Sequence, residues 1–480
     1  MKRRAEGSIT VYLCLILLVM LSLIFAGISS ARSAARRVTL AAGTEEGLFS
    51  AFSQYDRTLS DTWGLYFLDA SLGTDEPQYG KILKSIREDA DYIIDPRREN
   101  PVGKNLLGLE TCPEQCALTG YVLATDCGGQ PFARQVCRQM TQQLGTAALE
   151  ALKKRLSEES VKAGEGKERR GRINSGTAGE LYDESHPEGN TVEPDSEIEV
   201  TNPGESVTSA KKRGILALTV PSSKHVSAGK ADIRDFVSHR QLESGMAMVP
   251  TGYSGDAEKI LLLEYLMQNF SSFTDEEDGD GLRYQVEYAI GGKDTDEENL
   301  RAVVRKLLWF REGFNMIHIM SSPGKRAQCE ATADLVAAAI LLPAAAPAIA
   351  WTIELAWAYA ESVMDVQELL DGGRIALFKD DASWQVSYSG LGSFLSGSER
   401  HSSSNGLDYE EYLRLLLIAQ SAQALTLSLM DLTEYVIREE ERRESFRLDH
   451  CVEVLRVQMA ARAGTTVYTC ERSYGYDMEY

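Results

Sequence analysis

The first apolar segment of the chain runs from Ser8 to Ala31 and holds 24 consecutive residues without a charge. A helix of that length can cross a hydrocarbon core of about 30 Å. A cleaved secretory signal has a similar basic start, but its apolar part is usually only about 7–15 residues long. The pattern therefore predicts a transmembrane helix, with cleavage in the small-residue stretch 26–35 as the alternative.

Residues 32–62 contain few helix breakers and predict a continuation of this helix as a stalk. Its apolar positions recur at i, i+4, i+7 and i+11, which places them on one helix face; they are Leu48, Phe52, Tyr55 and Leu59. Gly43 and Gly47 are potential kinks. A buried apolar run at 63–68 follows, and helices are predicted near 77–92 and 132–156.

Residues 157–210 are rich in Glu, Gly, Ser, Asn and Pro, and contain one aromatic residue, Tyr182. Such a segment cannot bury enough apolar surface to offset its ordering entropy. The composition predicts a disordered linker or insertion at this place.

Several short runs downstream predict strands. Residues 214–220 form an apolar run closed by Pro221, and residues 282–290 alternate between apolar and polar positions. A strand pair is expected near 374–378 and 384–388. Residues 452–461 and 465–470 predict a hairpin that turns at Ala463–Gly464.

Other segments have helical periodicity. Residues 259–273 are amphipathic, Thr295 with Glu298 forms a capping-box sequence before a helix to about Met320, and residues 409–438 predict one long helix. Residues 335–353 are uncharged and nearly long enough to span a membrane, but Pro343 and Pro347 interrupt them. A buried helical hairpin turning at 342–348 is therefore favoured over a second transmembrane pass.

The charge is unevenly distributed. The whole chain has 50 Lys and Arg against 71 Asp and Glu, a net charge of −21. Residues 1–40 carry +5, so the remainder carries −26. An acidic body is unsuited to nucleic acid, and the composition also excludes a fully disordered chain and a polytopic transporter. Three basic residues flank each end of the apolar helix, and the N-terminal amine favours a cytoplasmic N-terminus with the body outside the cytoplasm.

These patterns predict a helix-rich α+β protein. We expect a cytoplasmic tip and transmembrane helix at 1–31, a stalk and first extracytoplasmic part at 32–156, a linker at 157–210, and a helix-rich body with a small mixed or antiparallel sheet at 211–480.

The N-terminus resembles that of Tad (tight adherence) pilus pseudopilins and their pilin-like partners. The residues that carry this resemblance are Arg4, Gly7, Ser8, Val11 and Tyr12. In that family a Glu stands where this chain has Tyr12, and processing follows the Gly. Since the Glu is thought to support processing and filament packing, its absence favours a retained anchor, with processing after Gly7 as the alternative.

A wider resemblance links the chain to an uncharacterised family of single-pass membrane proteins associated with Tad pilus loci in Gram-positive bacteria. It covers most of the chain outside 95–200 and rests on phrases without catalytic motifs: 8–12, 55–56 with 64–69, 212–221, 287–300, 356–361 and 408–415. The resemblance implies location and association with pilus assembly, and no chemistry.

Four cysteines form a separate cluster with the spacing C-x3-C-x10-C-x9-C: Cys112, Cys116, Cys127 and Cys137. Outside the cytoplasm such thiols commonly form disulfides, and four of them allow three pairings. Free thiols and a zinc site remain alternatives, although the second pair is not tight enough for a usual structural zinc site. Cys451 and Cys470 are not expected to be bridged, because the predicted hairpin places Cys470 opposite Val457.

One acidic segment follows the calcium-loop template from Glu276 to Glu287, except that Glu replaces Asp at its first position. An acidic solvated loop is the simpler interpretation. Three S-x-x-K sequences occur at 209–212, 227–230 and 322–325 without the motifs that accompany them in serine enzymes. Residues 291–293 lack the rest of a phosphate-binding loop.

The six histidines are dispersed, and His318 is expected to be a satisfied boundary histidine. Acid pairs such as Asp380–Asp381 and 439–441 are expected to be solvated surface. We therefore predict no catalytic, cofactor-binding or metal-ligating residues.

The sequence favours a non-enzymatic structural or assembly component of a Tad-like pilus system. Its expected partners are the bilayer and other pilus-assembly or cell-surface proteins. The alternatives are an extracytoplasmic ligand- or calcium-responsive binding module and an unrecognised surface hydrolase.

Overall fold

The structure is a computed structural model that describes the following parts of the chain: residues 6–95, 105–173, 214–250, 252–253, 257–275, 281–391, 402, 406–439 and 442–476. Contacts within the chain divide it into two units. The first comprises Met1–Gln139, Arg240–Tyr253 and Thr433–Tyr480, and the second comprises Met140–His239 and Ser254–Leu432.

The first unit begins with one continuous helix, α1 (Glu6–Phe52), which covers the predicted span and the predicted stalk as far as Phe52. Leu48 and Phe52 are buried as expected. The helix ends at Phe52, so that Tyr55 lies beyond it and is partly exposed, while Leu59 is buried in the separate helix α2 (Arg57–Trp63). The helix α3 (Tyr79–Ile94) confirms the helix that was predicted near residues 77–92.

An antiparallel sheet of five strands lies in the same unit. The strands are β1 (Leu68–Asp69), β2 (Glu110–Thr111), β3 (Ala117–Leu123), β4 (Cys451–Ala463) and β5 (Thr466–Gly475). The strand β4 pairs with each of the other four. Because Val452 pairs with both Leu68 and Leu123, β1 and β3 must lie on opposite edges of β4.

The hairpin β4–β5 confirms the predicted turn, where Gly464 adopts a φ of 64° that favours glycine. Its register differs from the expected one by two residues, since Cys470 lies opposite Met459 rather than Val457. Cys451 instead pairs with Asp69 of β1. The two cysteines are therefore not cross-strand neighbours.

Helix α4 (Asp126–Ile173) begins in the first unit and continues into the second. It is longer than predicted, because residues 157–173 continue the helix instead of beginning the linker. The rest of the predicted linker, residues 174–210, lies outside the described residues.

The second unit is built mainly from helices. They are α5 (Ile215–Thr219), α6 (Glu258–Asn269), α7 (Gln285–Gly291), α8 (Asp296–Ser321), α9 (Pro323–Ala339), α10 (Ala346–Leu370), α11 (Tyr409–Leu417) and α12 (Ala422–Glu439), of which α12 continues into the first unit. Thr295 caps α8 by accepting a hydrogen bond from the Glu298 N–H, as predicted. The predicted hairpin is confirmed in its path, since α9 and α10 are joined through a 3₁₀ turn at Pro343–Ala345. Its predicted burial is wrong, because Ile340, Leu341 and Leu342 at the turn are exposed.

Four strand predictions in this unit are wrong. Residues 215–219 and 285–291 are helical, and residues 374–378 and 384–388 form loops with only one isolated β-bridge, between Ile375 and Leu407. The alternation at 282–290 misleads because α7 is buried on nearly all sides, which leaves no polar face to mark a helical period. The predicted helix 409–438 is interrupted near Gln420, where α11 gives way to α12.

Candidate functional site

The N-terminal half of α1 exposes apolar side chains on all sides. Its most apolar 18-residue window has a mean hydropathy of 2.8 and is 0 % buried. Among the described residues, α1 is the one helix long and apolar enough to cross a membrane. Large side chains from Ile9 to Ile28 are at least 40 % exposed, whereas Leu40 is 1 % exposed. The helix therefore changes from an exposed apolar segment to a core element between those positions.

Two glycines let the C-terminal half of α1 approach α3 closely. A Cβ atom at Gly47 would lie 2.3 Å from the backbone oxygen of Ile86, and one at Gly43 would lie 2.9 Å from Cγ1 of Ile94. The helix is continuous through both positions. The glycines thus serve helix packing.

The C-terminal half of α1 also packs on the sheet. Leu40, Leu48 and Phe52 belong to one buried cluster with Leu455 and Val457 of β4. Edge-to-face aromatic contacts extend this cluster: the Phe52 ring lies 5.4 Å from that of Tyr474 and 4.9 Å from that of Tyr476, centroid to centroid. Such pairs add to the stabilisation from burial.

Polar contacts close the edges of this interface. Arg36 donates from Nε to the Leu107 oxygen at 2.8 Å, and its guanidinium lies 5.9 Å from the centre of the Tyr468 ring. Hydrogen bonds from Ser33 and Arg36 lower the pKa of Tyr468. We call this surface of α1, from Arg36 to Phe52, the helix seat. Because α1 is continuous, the helix seat connects the exposed apolar part of the helix to the sheet without an intervening loop.

A cleft of about 670 Å³ lies elsewhere in the first unit, lined by Asp69, Gly73, Asp75, Arg438, Arg442, Arg443, Glu444, Ser445 and Phe446. Arg443 bonds to Asp56 at 2.7 Å and to Asp69 at 3.3 Å. Burial lowers the pKa of Arg443, but these two carboxylates outweigh burial and raise it. The lining has equal numbers of acidic and basic residues, three of each, and includes neither histidine nor cysteine.

The second unit contains a buried ionic network that the sequence analysis missed. Arg311 and Asp365 are both fully buried, and Arg311 Nε lies 2.9 Å from Asp365 Oδ2. Lys379 bridges Asp365 and Glu361. Burial raises the pKa of Asp365, but Arg311 and Lys379 outweigh that effect and lower it. No periodic signal marks such a group, because sequence patterns assign charges to the surface.

This network holds irregular backbone against the helices. Arg311 Nη1 donates to the oxygens of Ala376 and Leu377 at 2.9 and 3.0 Å. The Glu361 carboxylate accepts hydrogen bonds from the N–H groups of Gln385 and Val386 at 2.9 and 2.7 Å. The charges therefore satisfy the buried polar groups of the segment that was predicted as two strands.

A second cluster performs the same task in the first unit. Arg240 donates to Glu434 and to Asp449 at 2.5 Å each. These acids also accept backbone hydrogen bonds, from Leu448 and Glu243 respectively. Burial lowers the pKa of Arg240, and its two carboxylate partners raise it overall. Both ionic networks therefore hold backbone segments of the chain in place.

The calcium-loop template fails at its last position. Glu287 is fully buried in α7, where its Oε1 accepts hydrogen bonds from the Phe273 N–H at 2.9 Å and the Tyr409 hydroxyl at 2.8 Å. Burial raises the pKa of Glu287 to about 7. Residues 276–280 lie outside the described residues. A carboxyl group held in this way is not available to a cation in solvent.

None of the four clustered cysteines forms a disulfide in the structure, contrary to the expected pairing. Cys112 and Cys116 flank the short turn Pro113–Gln115, Cys127 lies at the start of α4, and Cys137 is buried within it. Burial raises the pKa of the Cys116 thiol. Within the described residues, no group of three or more His, Cys, Asp or Glu side chains could hold a metal ion.

His318 is a satisfied boundary histidine, as predicted. Its Nε2 lies 3.1 Å from Oδ1 of Asp381, and its ring stacks on Trp384 at 5.0 Å. Burial lowers the pKa of His318. Asp381 is more than solvated surface, since it also accepts a 2.7 Å hydrogen bond from Lys325.

The S-x-x-K sequences do not form nucleophile–base pairs in the described residues. Lys325 is bound to Asp381, and Ser227 Oγ accepts a hydrogen bond from the Gly229 N–H at 2.9 Å. The first sequence, at 209–212, lies outside the described residues, as do His186 and His401. Gly292, with a φ of 60°, ends helix α7 and does not form a phosphate-binding loop.

A family model described as a family of unknown function (DUF5702) matches residues 193–463. This is more than half of the chain, and the protein belongs to that family. No curated protein and no solved structure matches it.

Proposed function

We propose that the protein is a single-pass membrane anchor with a structural or assembly role in a Tad-like pilus system. The observation that carries this proposal is the continuity of α1, which passes from an exposed apolar segment directly into the helix seat. A force or displacement applied to such a helix reaches the sheet without a flexible joint. The resemblance of Gly7, Ser8 and Val11 to pseudopilins supports the same role.

In this proposal the N-terminus is cytoplasmic and the body is extracytoplasmic. The basic excess at residues 1–40 and the acidic remainder support that orientation. The body acts through protein surfaces, without catalysis. The ionic networks of Arg311 and Arg240 support this, since both are committed to holding the chain together.

The mature N-terminus tests the anchoring. We expect intact mass spectrometry of protein extracted from native membranes to find a chain that begins at Met1. A chain beginning at Ser8 would indicate pilin-type processing and would strengthen the filament role at the expense of the retained anchor. A chain beginning after residue 26 would overturn the anchor.

A flexible insertion tests whether continuity of α1 matters. Inserting Gly-Gly-Ser-Gly-Gly after Ala31 leaves the span and the helix seat intact but separates them by a flexible joint. We expect loss of pilus assembly in cells while the protein stays in the membrane fraction. The matched control is the same insertion after Arg4, which precedes the span and should leave assembly unchanged.

Co-purification tests the assignment to a pilus system. The wild-type protein, solubilised from native membranes, should carry pilus or pilus-platform components with it. Recovery of wild type as an isolated monomer would contradict the proposed function. Normal pilus assembly by the protein with the insertion after Ala31 would contradict only the role of the rigid connection and would leave the assignment to a pilus system intact.

A further inference from the structure

The loop between α9 and α10 exposes a compact group of large apolar side chains. We call residues Leu335–Ile349 the hairpin tip. The exposed fractions are 66 % for Leu335, 52 % for Ile340, 86 % for Leu341 and 59 % for Leu342. An exposed apolar patch of this kind commonly marks a site of protein or membrane contact.

The backbone of the hairpin tip makes Leu341 an unusual choice. Helix α9 ends in a Schellman motif, in which the Leu342 N–H bonds to the Ala337 oxygen and the Leu341 N–H to the Ala338 oxygen. Leu341 occupies the left-handed position of this motif with a φ of 57°. Glycine is the usual residue there because a side chain is strained. The chain thus places a strained leucine where its side chain is almost completely exposed.

The turn also satisfies much of its own backbone. The N–H groups of Ile340, Leu341, Leu342 and Ala345 all donate within the turn, at 2.9–3.1 Å. Pro343 and Pro347 have no N–H to satisfy. Internal satisfaction of this kind is what a segment needs when it leaves water for lipid.

Charge is absent from the hairpin tip and its adjoining helical turns. Residues 335–353 are uncharged, and the nearest charges are Asp334 on α9 and Glu354 on α10. The uncharged part of α9 rises about 7.5 Å and that of α10 about 12 Å along the helix axis. These lengths are much shorter than a hydrocarbon core of about 30 Å, but they match the depth of interfacial insertion.

We propose that the hairpin tip inserts into the interfacial layer of a lipid bilayer, as a second and shallow membrane contact of the chain. This inference rests on the proposed anchoring, which keeps the chain at a membrane. A bilayer fits because the tip is a protruding turn with its own backbone hydrogen bonds, and lipid requires no complementary pocket. The exposed carboxylate of Asp334 limits the depth.

Acyl-chain photolabelling tests this proposal on the full-length protein. The protein is reconstituted in phosphatidylcholine vesicles that contain a phosphatidylcholine with a diazirine in its acyl chain. After irradiation and digestion with trypsin, mass spectrometry quantifies label in two peptides, 5–32 from α1 and 327–374 from the hairpin. We expect label in both, and the same yield in the hairpin peptide at low and high salt.

The variant combines Leu341→Glu with Leu342→Glu, both on exposed positions. We expect label in the hairpin peptide to fall at least tenfold, while label in the α1 peptide stays unchanged. The matched control is Val249→Glu, since Val249 is 85 % exposed but lies outside the hairpin. Circular dichroism of each variant confirms that the helices remain folded.

The outcomes separate the two proposals. Label in the α1 peptide without label in the hairpin overturns the inference and leaves the anchoring intact. Absence of label in both peptides overturns the anchoring as well. Cross-linking of the hairpin to a second copy of the chain, in place of lipid, also overturns the inference.

Discussion

The helix seat of the first unit and the Arg311 network of the second unit are stabilised in different ways. In the first, the helix seat combines apolar side chains, aromatic edges and glycines at a close helix crossing. In the second, the fully buried pair Arg311–Asp365 and the Glu361 carboxylate, which Lys379 links to it, hold irregular backbone in place. The first arrangement follows from shape and hydrophobicity, whereas the second depends on every charge keeping its partner. The difference predicts which substitutions each unit can tolerate.

The largest effect is expected at Arg311. Replacing it with alanine removes one of the two cations that pair with the buried Asp365, Lys379 being the other, and leaves the carbonyl of Leu377 without this donor. That loss costs about 3–5 kcal/mol. We expect the free energy of unfolding of the full chain in detergent, measured by denaturant titration, to fall by that amount. The double variant Arg311→Met with Asp365→Leu should recover most of the loss. A loss below about 1 kcal/mol for Arg311→Ala would show that charge pairing is not what stabilises this unit.

Glu287 should make the second unit sensitive to pH. Its pKa is raised from 4.5 to about 7 by burial, so the folded protein keeps a proton that the unfolded chain releases. The free energy of unfolding should therefore fall as pH rises from about 4.5 to 7, by on the order of 3 kcal/mol. Glu287→Gln should remove this component, as measured by thermal unfolding across that range. Identical pH profiles for the two proteins would contradict the assignment.

The helix seat should respond to volume rather than to charge. Gly47→Ala would place a Cβ 2.3 Å from the Ile86 oxygen, and relief of that clash costs about 1–3 kcal/mol. We expect the melting temperature to be lower than that of wild type, by an amount that does not depend on pH between 4.5 and 7. Gly27→Ala is the control, because nothing lies within 4 Å of that position. Equal melting temperatures for the two variants would indicate that α1 and α3 separate easily.

The smallest expected effect is an increase in stability. Leu341→Gly removes a strained left-handed leucine and should stabilise the hairpin by about 1 kcal/mol. Differential scanning calorimetry in detergent would detect it as an increase in melting temperature. Destabilisation would mean that the leucine packs within the protein, contrary to its 86 % exposure.

Patterns with a clear period were predictable from the sequence. The apolar run of α1, the cap at Thr295, the proline-broken hairpin and the turn at Gly464 each have a local cause, and the structure confirms them. The helix α7 was missed because burial on nearly all sides removes the polar face on which such an argument depends.

The functional features were harder to predict. The exposed half of α1 could be predicted from its apolar sequence. The helix seat could not, because its contacts are with residues of β4 and β5 that are distant in the sequence. Apart from Asn315 on the same helix, the hydrogen-bond partners of Arg311 lie 54 to 101 positions away along the chain. Glu287 fitted a calcium motif by spacing, yet burial determines its role. Local sequence contains no record of such distant contacts.

The helix seat and the strands that pack on it are far apart along the chain, and this separation has a consequence for biosynthesis. Phe52 and Tyr476 are hydrogen-bonded although 424 positions separate them. A ribosome makes α1 first, and α1 can enter the membrane long before the strands that receive it exist. During that interval α3 can already pack on α1, but the face of α1 that contacts β4 and β5 lacks those strands, and such exposed apolar surface is prone to aggregation. Folding of this unit must therefore await β4 and β5, and premature termination before residue 451 would leave α1 without the two long strands that it packs on.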